Sequence, residues 1–279
     1  MLRNEEIKNI EDFIKIKPRS IQEIASHINK NWRTADRYID EIKKSFGTLD
    51  IRVFREGTRG ALKIVYWASI DKISNTVFQE ELELDIFRFH NKEDISPLDI
   101  FQFVPDKNKT VKVKTGKDED AIGTLKEFTD ILFGAKKQIL FFSGNLSFIN
   151  FDDGKTNYFK ILEELVKKNV SIKVICKADL ISKENVEKLL SLNFKYGKEL
   201  IEIHHRNQPL RATIVDNDLI NLKEIKEPTG RKNELDKKTF IFYTIKNKEW
   251  VEWLSRIFWK MFSCSIDSRK RLDEMRKIR

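Results

Sequence analysis

The sequence predicts an α/β chain: a small α+β unit at the N-terminus, then a larger layered α/β domain with a mostly parallel sheet. Three observations carry this. Residues 20–67 run helix, break, helix and two strands; from residue 121 onward helices alternate with continuous apolar strands; and 40% of the 279 residues are apolar, which suits globular domains with sizeable cores.

Residues 4–16 place Ile7, Ile10, Phe13 and Ile14 at helical spacing, and Pro18 ends that helix. Ser20-Ile21-Gln22-Glu23 is a capping box, opening a short helix with Ile21, Ile24, Ala25 and Ile28 on one face. Asn29-Lys30-Asn31 breaks the pattern. A second helix over residues 32–44 has Ala35, Tyr38, Ile39 and Ile42 at core spacing, and its opposite face carries Arg33, Thr34 and Arg37. Two short strands follow, residues 51–55 and 61–67, joined by Glu56-Gly57-Thr58-Arg59-Gly60, which predicts a hairpin.

Helix, turn, helix and basic hairpin in that order make a winged helix-turn-helix over residues 1–69, a DNA-binding domain. Its recognition helix would meet base edges and phosphates through Arg33, Thr34 and Arg37, while Arg55 and Arg59 on the wing would contact the backbone of double-stranded DNA. Charge alone does not decide this, because residues 1–67 hold 14 Lys/Arg against 10 Asp/Glu. Placement does, since Glu5, Glu6, Glu11 and Asp12 fall on the first helix, away from the groove. The competing reading is a small helical unit that contacts protein.

Residues 70–120 read as a linker or dimerisation segment. They contain Pro97, Pro105 and the cluster Asp106-Lys107-Asn108-Lys109, with an alternating strand at 110–114. Residues 121–279 form the second domain. A helix ends at Gly134, and Gln138-Ile139-Leu140-Phe141-Phe142-Ser143 is a continuous apolar strand of the kind buried on both faces. Further strands are expected at 171–176, 200–204, 212–216, 219–222 and 239–245, with helices at 158–168, 185–192 and 248–264.

Two segments of this domain, residues 138–145 and Pro209-Leu210-Arg211-Ala212-Thr213-Ile214-Val215-Asp216, resemble the phospholipase D-like fold, over roughly residues 121–264. The resemblance implies a strand motif His-x-Lys-x-x-x-x-Asp, whose His attacks phosphorus and whose Lys binds the phosphoryl oxygens. Here Pro209 falls at the His and Arg211 at the Lys; only Asp216 survives, and the Gly-Ser/Thr pair beyond it falls on Lys223-Glu224. Proline cannot act as a nucleophile, so no catalytic residue is assigned to the motif. The two-domain plan is similar to the archaeal TrmB-type transcription regulators, which implies that the second domain binds an effector or mediates dimerisation.

Arg211, Asp216, His204 and His205 are the candidates for a vestigial pocket, in which Arg211 could hold a small anionic effector. Neighbouring strand residues point to opposite faces, so His204 and His205 cannot both enter one pocket from a regular strand. The last helix has Trp250, Trp253, Leu254, Ile257, Phe258, Met261 and Phe262 on one stripe, a surplus of aromatic area that suggests a homodimer contact. The tail from Ser268 holds six basic and two acidic residues and reads as a solvated helix end or a second phosphate contact.

A net charge of +9 and a pI near 9.3 suit a polyanionic partner, and abundant Lys, Glu and Ile lean toward a thermophile. Cys176 and Cys264 are too few for a disulfide framework or a zinc site, which fits a reducing cytoplasm. No metal or other cofactor is expected. The charged start lacks a leader's apolar core, and no apolar run reaches membrane-spanning length. These features favour a DNA-binding transcription regulator. A phosphodiesterase or nuclease targeted by the winged helix, and a scaffold in a DNA-processing complex, are the alternatives.

Overall fold

The computed structural model describes residues 4–46, 48–55, 61–67, 75–116, 126–152, 154, 156–228 and 237–277. Helix α1 (Asn4–Ile16) buries Ile10 and Ile14. A two-residue strand, β1 (Arg19–Ser20), leads into α2 (Ile21–His27). The capping box forms: Ser20 Oγ accepts the Glu23 N–H at 3.1 Å, and the Glu23 carboxylate accepts the Ser20 N–H at 2.7 Å. Asn29, at φ 52°, takes the left-handed turn that asparagine tolerates. Asn31 Oδ1 then accepts the Thr34 N–H at 2.9 Å and starts α3 (Trp32–Phe46), which runs past the predicted end at Lys44.

Strands β2 (Leu49–Arg55) and β3 (Ala61–Trp67) pair antiparallel, Leu49 opposite Trp67 and Arg55 opposite Ala61. With β1 they form a three-stranded sheet in the order β1-β3-β2. Arg59, between the two strands, lies outside the described residues. Alternate hairpin side chains enter two different cores. Leu49 and Val65 join Ile10, Ile14, Ile24, Ile39 and Ile42 beneath the helices. Phe54, Leu62 and Ile64 point the other way, into the main core of the second domain.

That domain comprises α4 (Asn75–Arg88), α5 (Pro97–Phe101), β4 (Lys109–Thr115), α6 (Lys126–Phe133), β5 (Gln138–Phe142), α7 (Tyr158–Lys167), β6 (Ser171–Cys176) and α8 (Lys183–Tyr196). It continues with β7 (Ile201–His205), β8 (Ala212–Val215), β9 (Leu219–Lys226), β10 (Thr239–Ile245), α9 (Lys248–Ser263), β11 (Ile266–Asp267) and α10 (Ser268–Lys277). Eight strands form one sheet in the order β11-β7-β6-β5-β8-β9-β10-β4. Helices cover both faces, with Leu140 and Phe142 packing toward α9, and Ile139 and Phe141 toward α7 and α8.

Two expectations are corrected. The sheet is mixed rather than mostly parallel: among the described residues only β5–β6 and β6–β7 pair parallel. From β8 onward the chain turns back on itself. Asp216 and Asn217 have φ 50° and 61°, and the Asp218 N–H bonds to Val215 O at 2.9 Å, so β8 and β9 form a tight hairpin. A strand buried on both faces is apolar whichever way its neighbours run, so its composition does not report direction. The segment 70–120 is not a linker along its described length. Leu82, Ile86, Leu98, Ile100 and Phe101 share the sheet's core, and β4 pairs with β10 from Lys109–Ile245 to Thr115–Thr239.

The aromatic stripe of α9 is absorbed within the chain. Trp250, Trp253, Ile257, Phe258, Met261 and Phe262 are buried against the sheet, and Trp259, off the stripe, is 39% exposed. That burial removes the stripe as a reason to place a dimer contact here. No helix among the described residues is long and apolar enough to cross a membrane.

Where the N-terminal unit meets the large sheet, a chain of buried and half-buried polar groups joins them. Glu23 of the capping box lies 3.8 Å from Lys226 of β9, which also pairs with Glu224 at 3.1 Å. Glu224 accepts from Tyr243 Oη at 2.8 Å and from Ser96 Oγ at 3.1 Å. Burial opposes ionisation of Glu23, but Lys226, the Ser20 N–H and Arg19 outweigh it and hold its pKa below the ordinary value. Asp99, which accepts the Ser96 N–H, is pushed the other way, to about 7, by burial first and by the nearby Glu224 charge.

A carboxyl whose folded pKa exceeds its ordinary 3.8 keeps its proton longer in the native state, so it contributes stability at low pH that is lost as pH rises to about 7. Asp99→Asn keeps an acceptor for Ser96 but does not titrate. Urea midpoints at about pH 4 and about pH 7 should therefore fall less with rising pH in the variant than in the parent chain; parallel curves would remove Asp99 from this role.

Candidate functional site

Two surfaces hold the residues singled out by the sequence. On the first, α3 buries Ala35, Ile39 and Ile42. Asp36 clamps the helix to β3 through Lys63 at 2.6 Å. Arg33 and Arg37 project outward from the free side, and Thr34 is half-buried between them. Their guanidinium groups lie 5.5 Å from the Trp32 ring and 5.6 Å from the Tyr38 ring, so each is propped by an aromatic neighbour. Neither has a carboxylate partner among the described residues. Arg55 is the last residue of β2.

The second surface is a cleft of about 710 Å³ at the carboxyl ends of β5, β6 and β7, the end of an α/β sheet where ligands generally bind. Phe128, Phe148 and Phe242 give it apolar walls. Lys92, Lys177, Arg206, Arg211, Lys223 and Lys238 bring basic side chains to its lining; Lys177 pairs with Asp179 at 3.2 Å, Arg211 with Glu93 at 3.4 Å and Lys238 with Glu227 at 3.0 Å.

Lys92 reaches in from the segment after α4. Its Nζ donates to Leu210 O at 2.6 Å and to Ser143 O at 3.3 Å, tying the end of β5 to the start of β8. Burial, and secondarily the Arg211 charge, lower its pKa to about 7. Gln208, also buried, braces the same corner, its amide donating to Ser143 O at 2.9 Å and its oxygen accepting the Leu210 N–H at 2.7 Å. Arg211 is held 3.4 Å from Glu93, whose side chain is 76% exposed.

Of the four residues expected to share a vestigial pocket, only Arg211 lines this cleft. Asp216 sits at the opposite end of β8, because Ala212–Val215 separates the two. Its carboxylate accepts the N–H groups of Lys136, Lys137 and Gln138 at 2.6, 2.8 and 2.9 Å. The one retained position of the resemblance thus caps the start of β5. His204 stacks on Phe262 with ring centroids 3.7 Å apart, and its Nδ1–H donates to Phe262 O at 2.8 Å. His205 Nδ1 accepts the Ala178 N–H at 2.9 Å, and burial with Arg271 nearby lowers its pKa. Both imidazoles are therefore fixed to neighbouring chain segments.

The sequence reading missed Lys92, Lys177, Arg206, Gln208 and Lys223. Lys223 alone left a trace: in β9, residues 220 and 222 enter the main core, so parity sends 221, 223 and 225 to the cleft. Nothing local marks Lys92, since its place at the cleft comes from how α4 packs. Among the described residues, no group of three or more His, Cys, Asp or Glu side chains could hold a metal.

No protein-family model matches the chain, and no curated protein matches it in sequence. Among solved structures it is similar to TrmBL2, described as an archaeal chromatin protein with a novel mode of DNA binding, at 14% identity and TM-score 0.39, covering 95% of this chain and 94% of that one. It is similar also to Nuc, a phospholipase D family member from Salmonella typhimurium, at 13% identity and TM-score 0.39, covering 57% and 97%. NucT from Helicobacter pylori shows 10% identity and TM-score 0.39, covering 57% and 99%.

Asp216 satisfies three backbone donors at once, so Asp216→Ala should cost on the order of 2–4 kcal/mol in denaturant unfolding. Asp216→Asn, which keeps an acceptor but not the charge, should recover part of that loss. Equal stability of both variants and the parent would show that β5 starts without this cap.

Proposed function

We propose that the chain is a DNA-binding transcription regulator. Its N-terminal unit acts as a winged helix-turn-helix, laying α3 in the major groove of duplex DNA with the wing on the backbone. The observation that carries this reading is the free face of α3, where Arg33 and Arg37 stand exposed without a carboxylate partner on the side opposite the buried Ala35, Ile39 and Ile42. Unneutralised guanidinium groups at the first turns of a well-anchored helix suit phosphate and base-edge contacts.

The second domain is assigned a sensing role in place of phosphoryl transfer, because Pro209 stands at the nucleophile's position and His204 and His205 are engaged elsewhere. Strand β9 supplies a physical route between sensor and reader. Asn221, Lys223 and Ile225 line the cleft, whereas Leu222 enters the core shared with the hairpin and Lys226 faces Glu23. A shift of β9 produced by a small anionic effector would thus reach the capping box of α2. Assembly as a homodimer on paired half-sites completes the reading.

Arg33→Glu with Arg37→Glu should leave the melting temperature unchanged and lower duplex affinity at least a hundredfold. In the parent, affinity should fall steeply with salt, and in the variant the slope should be shallower. Selection from random duplexes should enrich a two-fold repeated motif. Unchanged affinity in the double variant would overturn the assignment of α3. Metal-independent cleavage of the duplex would replace the regulator reading with a nuclease.

A further inference from the structure

We propose that Lys92 is a nucleophile that captures an aromatic aldehyde as an imine in the cleft at the carboxyl ends of β5–β7. The inference goes beyond the sensing role proposed above and does not depend on it.

The surroundings of Lys92 set it apart from the other lysines of the cleft. Lys177 pairs with Asp179 at 3.2 Å and Lys238 with Glu227 at 3.0 Å, and a carboxylate partner favours the ammonium form, whose nitrogen has no lone pair to offer. Lys223 lies 4.9 Å from the Phe240 ring. Lys92 has no carboxylate partner among the described residues. Its Nζ donates instead to two neutral oxygens, Leu210 O at 2.6 Å and Ser143 O at 3.3 Å. A neutral amine has two N–H groups, so these two carbonyls satisfy it completely and leave its lone pair free. The ammonium form would carry a third N–H with no acceptor among the described residues.

The electrostatics agree with that geometry. Burial, and after it the Arg211 charge, bring the pKa of Lys92 down to about 7, while Cys176 and Glu93 act more weakly in the other direction. Arg211 is itself held by Glu93 at 3.4 Å, so its place beside Lys92 is fixed. Desolvation and a neighbouring cation are the two means by which a lysine is made nucleophilic near neutral pH.

The carbonyl pair also tolerates the product. The Nζ lone pair bonds to the carbonyl carbon as the C=O π bond opens, and one proton passes from nitrogen to oxygen. The resulting carbinolamine loses its hydroxyl, with a proton from solvent, as water and leaves a protonated imine. That nitrogen keeps one N–H, which suits the shorter bond to Leu210 O. The bond given up is the longer one, to Ser143 O, and the Gln208 amide still donates to that oxygen at 2.9 Å.

The walls of the cleft select the body of the aldehyde. Lys92 is half-buried, so part of its side chain is open to the cleft. The volume of about 710 Å³ lies in the range of small-molecule pockets, and Phe128, Phe148 and Phe242 line it. Aromatic faces of this kind take a planar ring by stacking.

The probe is benzaldehyde, added with cyanoborohydride to the full chain at about pH 7, with labelled lysines located by peptide mass spectrometry and propanal as the aldehyde without a ring. Benzaldehyde should label Lys92 at least tenfold faster than any other lysine, and the rate at Lys92 should level off above about pH 7 while labelling at other lysines continues to climb. Propanal should show at least fivefold less preference for Lys92. Phe148→Ala should slow benzaldehyde at Lys92 at least fivefold and leave propanal there unchanged. Label spread evenly over the lysines, or absent from Lys92, overturns the proposal, and so does equal preference for Lys92 with both aldehydes. Because no DNA is present, these outcomes are independent of whether α3 reads a duplex.

Discussion

The β2–β3 hairpin buries side chains on both faces. One face, with Leu49 and Val65, closes the core under α1, α2 and α3; the other, with Phe54, Leu62 and Ile64, enters the main core of the larger domain. Burial of a large apolar side chain is worth about 1.5–3 kcal/mol, so neither contact can be given up cheaply. Arg52 adds to the second face, its guanidinium 4.8 Å from the Phe101 ring, and Phe54 meets Tyr243 edge-on at 6.2 Å. The orientation of α3 follows from this sandwich, because Asp36 ties the helix to Lys63 on the hairpin's first face.

The same two-sidedness recurs in β9. Its alternating side chains face the cleft on one side, and on the other meet the hairpin core and the capping box of α2. A hairpin and a strand that each serve two neighbours link the cleft to α3 through rigid sheet. The coupling proposed above therefore needs no long flexible element. Strands β9 and β10 are joined at seven paired positions, from Thr239–Lys226 to Ile245–Ile220. The polar chain from Glu23 through Lys226 and Glu224 to Tyr243 lies along that path. Glu224 anchors it with hydrogen bonds from Tyr243 and Ser96 and an ion pair to Lys226, which gives the junction a defined register.

The positions that the resemblance aligns with a phosphotransfer motif have other structural roles in this chain. Pro209, aligned with the nucleophile, is buried; Arg211, aligned with the lysine, pairs with Glu93; and Asp216 holds the start of β5. The histidines that remain nearby are spent on the β7 end, one stacked on Phe262 and one accepting from the Ala178 N–H. The cleft itself is built largely from residues outside those positions.

Local patterns in the sequence determined the elements of the N-terminal unit. The Ser20–Glu23 capping box, the apolar spacing of α2 and α3, and the outward placement of Arg33 and Arg37 are all written within a few residues of one another, because helix periodicity and end-capping act over one or two turns. The same holds for the apolar strands of the larger domain. Strand direction, the membership of residues 97–115 in the sheet and core, the burial of the α9 stripe and the assembly of the cleft were decided only by tertiary structure. Apolar composition reports that a strand is buried but not which neighbour buries it. Lys92 meets Leu210 and Ser143 across gaps in sequence that no periodicity spans. Arg211 and Asp216 were parted because β8 lies between them and its two ends face different ends of the sheet, whereas His204 and His205, at the carboxyl end of β7, are held by Phe262 O and the Ala178 N–H.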